Sequence, residues 1–223
     1  MKLSVKLKSI TGALALSAAV WLSPAASEAG LLIDAGPSSG VANFSGGDYV
    51  AGTEFTTGAT LTIRSLGWLD VEGDGLGTFT HTVGLWDVAT EALLASADVT
   101  SSSSTVTSAQ GTAIWYLENI APLEIVPGTY RVAGLVGPDD HSALSNDKIG
   151  NGVTLSNGYV RTEFPNGGFA YPDLTFGNNA IRATLSTDSV EGNGTPDIPA
   201  PGMLGLFGIG LAGLGLARRR KAI

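Results

Sequence analysis

Three acidic side chains at alternate positions are the residues of this chain best suited to hold a metal ion. Asp70, Glu72 and Asp74 stand in the sequence DVEGDG, which imitates the first half of an EF-hand loop. Calcium prefers several oxygen ligands at about 2.3–2.6 Å, and alternate positions on a tight loop can converge on one ion. His81 stands where such a loop would need its bidentate glutamate, and no helical pattern flanks it. The spacing therefore leaves two interpretations, a calcium site and a solvated acidic turn between strands.

Few residues of the chain suit catalysis. It has two histidines and no cysteine, which removes cysteine nucleophiles, thiolate zinc sites and disulfide bonds. The H-E-x-x-H motif is also missing from the sequence, as is a glycine-rich phosphate loop after a predicted strand. Two carboxylates for glycoside hydrolysis need only converge in space, so they leave no signature in so acidic a chain. We predict that the protein is not an enzyme and that it needs no cofactor, calcium aside.

Four aromatic residues have the chemistry to stack on sugar rings: Trp68, Tyr159, Phe169 and Tyr171. Large aromatic side chains are mostly buried, so packing in the core is the favoured interpretation for each. His81 stands at an alternating strand position and is expected to be structural.

These residues stand among short segments with the alternation of β-strands. β-Branched and aromatic residues recur at every second position, with turn-forming residues about every eight to twelve positions. The segments are 59–66, 80–86, 93–99, 112–117, 128–135, 159–164 and 180–185. No stretch of ten residues between them has convincing helical periodicity. The pattern predicts an all-β domain over residues 30–185, a two-sheet antiparallel sandwich that is jelly-roll-like.

The central part of the chain is strongly acidic. Residues 30–198 contain 19 of the 20 acidic residues and five of the 12 basic ones, which gives a net charge of −14. A surface of this sign repels nucleic acid and anionic lipid, so we expect neither as a partner. It suits a soluble protein outside the cell, or one that attracts divalent cations.

The first 29 residues have the pattern of a secretory signal peptide. Lys2, Lys6 and Lys8 precede an apolar run over residues 10–22, and small residues lead up to Ala29. We predict cleavage by signal peptidase after Ala29. An uncleaved N-terminal anchor is the alternative, although the apolar run is short for a membrane span.

The C-terminal segment, residues 199–223, combines a proline motif, an apolar run and a cluster of cations. The motif is Pro199-Ala200-Pro201, the uncharged run covers 203–217, and the cations are Arg218, Arg219, Arg220 and Lys221. A helix over the run is about 22 Å long, so spanning a core of about 30 Å needs flanking residues and snorkelling arginines. The cations would stop this transmembrane helix on the cytoplasmic side of the inner membrane. A flexible linker, residues 186–198, is expected to join it to the sandwich.

This tail resembles the PEP-CTERM sorting signal of exported bacterial proteins. The likeness covers residues 199–221 and rests on both prolines, the glycine- and leucine-rich run and the terminal cations; Ala200 replaces the glutamate of the family motif. The resemblance implies recognition by an exosortase, a membrane protease thought to cleave near the proline motif. It also implies a Gram-negative host that makes exopolysaccharide.

The central segment is similar to an exported bacterial β-sandwich domain of unknown function that often precedes such tails. The residues that carry this likeness are 66–70, 73–76, 81–87, 93–97, 122–125, 127–130 and 168–172. The resemblance implies a sandwich fold and an exported location, and it implies no reaction.

Taken together, these features predict an exported protein that is anchored transiently in the inner membrane and then deployed at the cell surface or in an extracellular matrix. The expected partners are signal peptidase, an exosortase-type enzyme, the inner membrane and exopolysaccharide. The alternative is a carbohydrate-binding module assisted by calcium through Asp70, Glu72 and Asp74. A polysaccharide-active enzyme is a third interpretation.

Overall fold

The computed structural model describes residues 30–37, 39–43, 49–137, 141–144, 148–163, 168–176 and 180–190, and in these it has fifteen strands and no helix. The strands are β1 (Ile33–Ala35), β2 (Gly40–Asn43), β3 (Val50–Thr57), β4 (Leu61–Asp70), β5 (His81–Asp87), β6 (Leu93–Val99), β7 (Ser104–Thr107), β8 (Ile114–Ile125), β9 (Gly128–Leu135), β10 (His141–Leu144), β11 (Lys148–Gly150), β12 (Thr154–Arg161), β13 (Leu174–Phe176), β14 (Ala180–Ile181) and β15 (Ala183–Ser186). The expected signal peptide and sorting tail lie outside the described residues.

Ten strands form two large antiparallel sheets. The six-stranded sheet has the order β13-β12-β3-β9-β5-β6, and the four-stranded sheet has the order β15-β4-β8-β7. Across the interior, β6 packs on β8 and β15 packs on β9. Two smaller sheets, β1-β11 and β14-β10-β2, complete the fold. The expectation of an all-β domain with antiparallel sheets is confirmed.

The central strands pair in a nested way. β3 pairs with β9 and β4 pairs with β8, and these pairs enclose the β5–β6 hairpin. The chain changes sheet between β3 and β4, between β4 and β5, between β6 and β7, and again between β8 and β9. This is the pattern of a rolled two-sheet fold such as a jelly roll. The β5–β6 and β7–β8 hairpins depart from it, because each keeps two consecutive strands in one sheet.

Alternate residues of the strands fill the space between the large sheets. In β5, Val83 and Leu85 are fully buried in the main core, whereas Trp86 belongs to a separate cluster on the opposite face of the sheet. Trp68 and Trp115 are also fully buried in the main core. Because the chain has no cysteine, no disulfide bond supports the fold, and its stability depends on this apolar burial.

Trp68 determines how closely the two sheets approach each other. A Cβ atom on Gly134 of β9 would lie 2.6 Å from Cζ3 of the Trp68 ring, so the indole needs a glycine there. The His81 ring stacks on Trp68 with centroids 4.8 Å apart, and His81 Nδ1 lies 3.0 Å from the carbonyl oxygen of Leu135. His81 therefore has a structural role.

A buried carboxylate attaches β1 to the sandwich. Asp34 is 7% exposed, and it accepts hydrogen bonds from Trp115 Nε1 at 2.6 Å, Ser108 Oγ at 2.6 Å and the backbone nitrogens of Ala35 and Ala109 at 2.7 and 2.8 Å. Four donors satisfy a charge that would otherwise be costly to remove from water. Asp34 thus joins the first strand to the turn between β7 and β8.

The folded domain extends to Val190, beyond the expected boundary at residue 185. Ser186 is buried in β15, and Ser65 Oγ donates to the Asp188 carbonyl at 3.1 Å. Val190 N donates to Asn119 Oδ1 at 2.9 Å, and Asn119 Nδ2 donates to the Val190 carbonyl at 2.7 Å. Residues 186–190, expected to begin the linker, are therefore packed on the sandwich by side chains that are distant in sequence.

Removing the Asp34 carboxylate is expected to destabilise the domain strongly. Asp34→Ala leaves the Trp115 indole N–H buried without its acceptor and leaves the Ser108 hydroxyl only the Ala35 carbonyl at 3.3 Å, at about 1–3 kcal/mol for each group. The free energy of unfolding, measured in urea by tryptophan fluorescence, should fall by about 3 kcal/mol or more. The control Asp173→Ala, at an exposed position, should change it by less than about 0.5 kcal/mol. Equal stability of Asp34→Ala and the unchanged protein would contradict this role.

Candidate functional site

Asp70 ends β4, and its carboxylate caps the turn that follows. Oδ1 accepts a hydrogen bond from Gly73 N at 2.8 Å, and Oδ2 accepts one from Gly75 N at 2.7 Å. Gly73 and Gly75 have φ angles of 74° and 105°, a conformation that glycine adopts without steric cost. Asp70 itself is 6% exposed. Both oxygens expected to face a calcium ion are therefore engaged by backbone N–H groups.

Glu72 and Asp74 extend from the same turn into solvent. Within the ranges that the structure describes, no three His, Cys, Asp or Glu residues are grouped so that they could hold a metal ion. Tyr116 lies beside the turn, where burial raises its pKa and the charges of Asp70 and Asp74 raise it further. The geometry accounts for Asp70 as a turn cap, and calcium binding by the three acids stays a prediction.

The four aromatic residues considered for sugar stacking form two groups. Trp68 and Tyr159 are buried, with exposures of 0% and 3%, so neither presents a ring face to a ligand. Phe169 and Tyr171 are half-buried over the outer face of the six-stranded sheet. The Phe169 ring lies 5.1 Å from that of Trp86, which is 2% exposed beneath it. The segment 168–172 therefore covers this face of the sheet.

Arg131 holds the covering segment in place. Its Nε and Nη2 atoms each lie 2.8 Å from Glu54 Oε2, and its Nη1 donates to the carbonyl oxygen of Pro172. The guanidinium also lies 5.1 Å from the centre of the Tyr171 ring, within the range of a cation–π contact. The positive charge of Arg131 is thus neutralised by Glu54 inside the protein and is not presented to solvent.

The arginine side chains of the domain are buried or half-buried. Arg131 and Arg182 are 7% and 0% exposed, and Arg64 and Arg161 are half-buried. The acidic side chains that are exposed include Glu72, Asp74, Glu91, Asp98, Glu124, Glu163 and Asp173. The described surface is therefore dominated by negative charge to a greater degree than the composition alone indicates.

A groove of about 700 Å³ lies between β6 and the second half of β8, lined by residues 94–98 and 118–123. Ser103, in the turn after β6, donates to Glu118 Oε2 at 3.0 Å, which brings Glu118 to the end of β6 that carries Asp98. The opposite ends of the two strands contribute Leu94 and Leu123. The groove is thus acidic at one end and apolar at the other.

Irregular pairing on both walls keeps the groove open. The β5–β6 register shifts between Leu85 and Trp86, which leaves Leu94 as an extra residue. The β4–β8 register also shifts, beside Pro122 in β8. Bulges and proline discourage the addition of a further strand at a sheet edge. One feature of the sequence indicates this groove, the proline at position 122 within β8. The strand expected from the sequence ends at residue 117, so the expected strand does not include that proline.

Loss of the Asp70 cap is expected to weaken the turn. Asp70→Ala removes the acceptor of two backbone N–H groups, so the free energy of unfolding should fall by about 1–3 kcal/mol. Asp74→Ala removes a carboxylate from the same turn at an exposed position and serves as the matched control, with a change below about 0.5 kcal/mol. Equal losses for both variants, seen only in calcium-containing buffer, would instead support a metal site.

Within the described part of the chain, no helical segment has the length and hydropathy to cross a membrane. The expected tail helix, the motif at 199–201 and the cations at 218–221 lie outside it.

No curated protein matches the chain. Residues 197–221 match the family model of the PEP-CTERM protein-sorting motif, which implies export, transient anchoring in the membrane by the C-terminal region, and processing by an exosortase. The chain therefore carries a PEP-CTERM sorting motif, which follows an acidic, antiparallel β domain.

Proposed function

We propose that this protein is a non-enzymatic component of the cell surface or of an exopolysaccharide matrix, exported by its N-terminal segment and released by an exosortase. The observation that carries the proposal is the sorting motif at 197–221, placed after an acidic domain. Because the four arginines of the domain are buried or half-buried while many of its acidic side chains are exposed, the domain presents carboxylates to its surroundings.

The route follows from the order of the segments. Residues 1–29 direct the chain across the inner membrane, and signal peptidase removes them after Ala29. The run 203–217 then holds the chain in the membrane, with the cations at 218–221 on the cytoplasmic side. Eight residues separate Val190 from Pro199, a spacer of at most about 30 Å. The exosortase therefore meets its motif close to the folded domain.

The charge of the domain determines its behaviour after release. A net charge of −14 over residues 30–198 favours solubility and attracts divalent cations. Such cations can bridge exposed carboxylates of the domain to those of an acidic polysaccharide. This gives a physical basis for retention in a matrix without an enzymatic site.

Processing can be tested by the intact mass of the exported chain in a host that has an exosortase. The mature protein should lack residues 1–29 and the tail beyond the proline motif. Replacing Arg218–Lys221 with four serines removes the positive charges that stop the helix, so the membrane-anchored intermediate should be lost. The matched control replaces the three arginines with lysine and should be processed normally. An exported chain whose mass still includes residues 218–221 would contradict the proposal.

The groove between β6 and β8 favours carbohydrate binding as a second candidate function. Asp98, Glu118 and Asn119 line it beside apolar side chains, and sugars need both hydrogen-bond partners and an apolar surface. The half-buried Phe169 and Tyr171 are less suited, because they cover Trp86.

A glycan array that includes neutral and acidic oligosaccharides tests this candidate. Asp98→Asn and Glu118→Gln keep the shape of the groove and remove a charged acceptor, so affinity should fall about tenfold or more. Glu124→Gln removes an exposed carboxylate of β8 outside the groove lining and should have no effect. Loss of binding with a chelator would indicate calcium assistance. Equal binding to every sugar, or equal effects of the three variants, would exclude the groove.

A further inference from the structure

The first described residue of the domain is bonded to its last strand and the segment beyond it. Gly30 N donates to Asp188 Oδ2 at 2.9 Å, and the Gly30 carbonyl accepts a hydrogen bond from Thr187 N at 3.2 Å. The contact continues inward, where Leu32 N donates to the Leu185 carbonyl at 2.9 Å. The residues that follow the signal peptide therefore lie along β15 and the segment that leads to the C-terminal tail.

Position 30 accepts glycine because there is no room for a side chain. A Cβ atom there would lie 2.7 Å from Thr187 Oγ1 and 3.3 Å from Asp188 Oδ2. The close approach of the Asp188 carboxylate to the Gly30 nitrogen thus depends on the residue type that follows Ala29.

We propose that removal of the signal peptide completes an ion pair between the new α-ammonium group of Gly30 and the carboxylate of Asp188. This inference rests on the proposed export route, because it needs cleavage between Ala29 and Gly30. Signal peptidase hydrolyses that bond with one water molecule. The bond from the Ala29 carbonyl carbon to Gly30 N breaks, the water oxygen becomes part of the Ala29 carboxylate, and Gly30 N leaves as an ammonium group. A neutral amide donor thereby becomes a cation at the same place.

The surrounding contacts hold Asp188 ready for this pair. Asp188 N donates to Ser186 Oγ at 3.0 Å, and its carbonyl accepts the 3.1 Å hydrogen bond from Ser65 Oγ. Both Gly30 and Asp188 are half-buried, so solvent screens the pair only in part. A hydrogen bond with two charged partners is stronger than one between a neutral amide and a carboxylate.

The position of the pair gives it a consequence for sorting. Two residues after Asp188, Val190 is fixed by both amide atoms of Asn119, and the spacer to Pro199 begins there. Fraying of residues 186–190 would lengthen that spacer and expose the end of β15. The ion pair therefore stabilises the exit of the tail once the N-terminus has been processed.

The test compares chains that differ only in their first residue. The chain from Gly30 to Ile223 is released in detergent micelles from an N-terminal fusion by a protease that leaves Gly30 first. A second chain starts at Ala29, which moves the ammonium group by one residue. We expect the Gly30 chain to unfold about 2–4 °C higher, and Asp188→Asn to abolish this difference. Asp173→Asn, at an exposed position, should preserve it. Acetylation of the Gly30 amine should lower the unfolding temperature to that of the Ala29 chain.

Equal unfolding temperatures for the two starts, or a difference that persists in Asp188→Asn, would overturn the ion pair. The proposal also requires cleavage between Ala29 and Gly30, which N-terminal sequencing of the exported chain tests. A first residue other than Gly30 would overturn the proposal. Neither result depends on the fate of the tail. A tail that is never removed would therefore refute exosortase processing and leave this inference standing.

Discussion

Trp68 fits between the two large sheets because β9 has a glycine at position 134, where any side chain would collide with the indole. In a chain without disulfides, the dry interior around this contact carries most of the stability. The contact also affects the turn after β4. Side chains two positions apart in a strand point to the same face, so the packing that buries Trp68 also draws Asp70 inward. The carboxylate then needs partners, and the N–H groups of Gly73 and Gly75 supply them.

Two strands could be predicted from the sequence for different reasons. β6 alternates because one of its faces is exposed, whereas β9 is buried on both faces and is marked by the turn residues Pro127 and Gly128 before it. β6 and β9 occur with the expected bounds, Leu93–Val99 and Gly128–Leu135. β3 was missed because it is buried on both sides: its outer face bears Glu54, paired with Arg131 beneath the segment 168–172. A strand covered on both faces has no alternation of polar and apolar residues to recognise. β10 and β11 are short, and their pairing with β2 and β1 depends on contacts distant in sequence.

The candidate site was predictable in its residue types and not in its geometry. Alternate carboxylates are compatible with a shared metal ion and with a capped turn, because both need only oxygen atoms on a tight loop. The choice depends on whether Asp70 points inward, which follows from the packing of β4. The burial of Arg131 could not be predicted for a similar reason, since its partners Glu54 and Pro172 are contributed by other parts of the chain. The groove beside Asn119 arises where β7 stops pairing with β8, a feature of register.

The hydrogen bonds of Gly30 with Thr187 and Asp188 place the two ends of the domain next to each other. On the proposed route, the signal peptide and the tail lie in the same membrane, and each is joined to the domain by a short connection. A domain whose first and last segments lay on opposite sides would need one long connection to reach the bilayer. Here Gly30 contacts Asp188, and Val190 follows two residues later on Asn119. One side of the sandwich can therefore face the membrane with both connections short. Asn119, which holds Val190, also lines the groove, so the groove lies beside the exit of the tail.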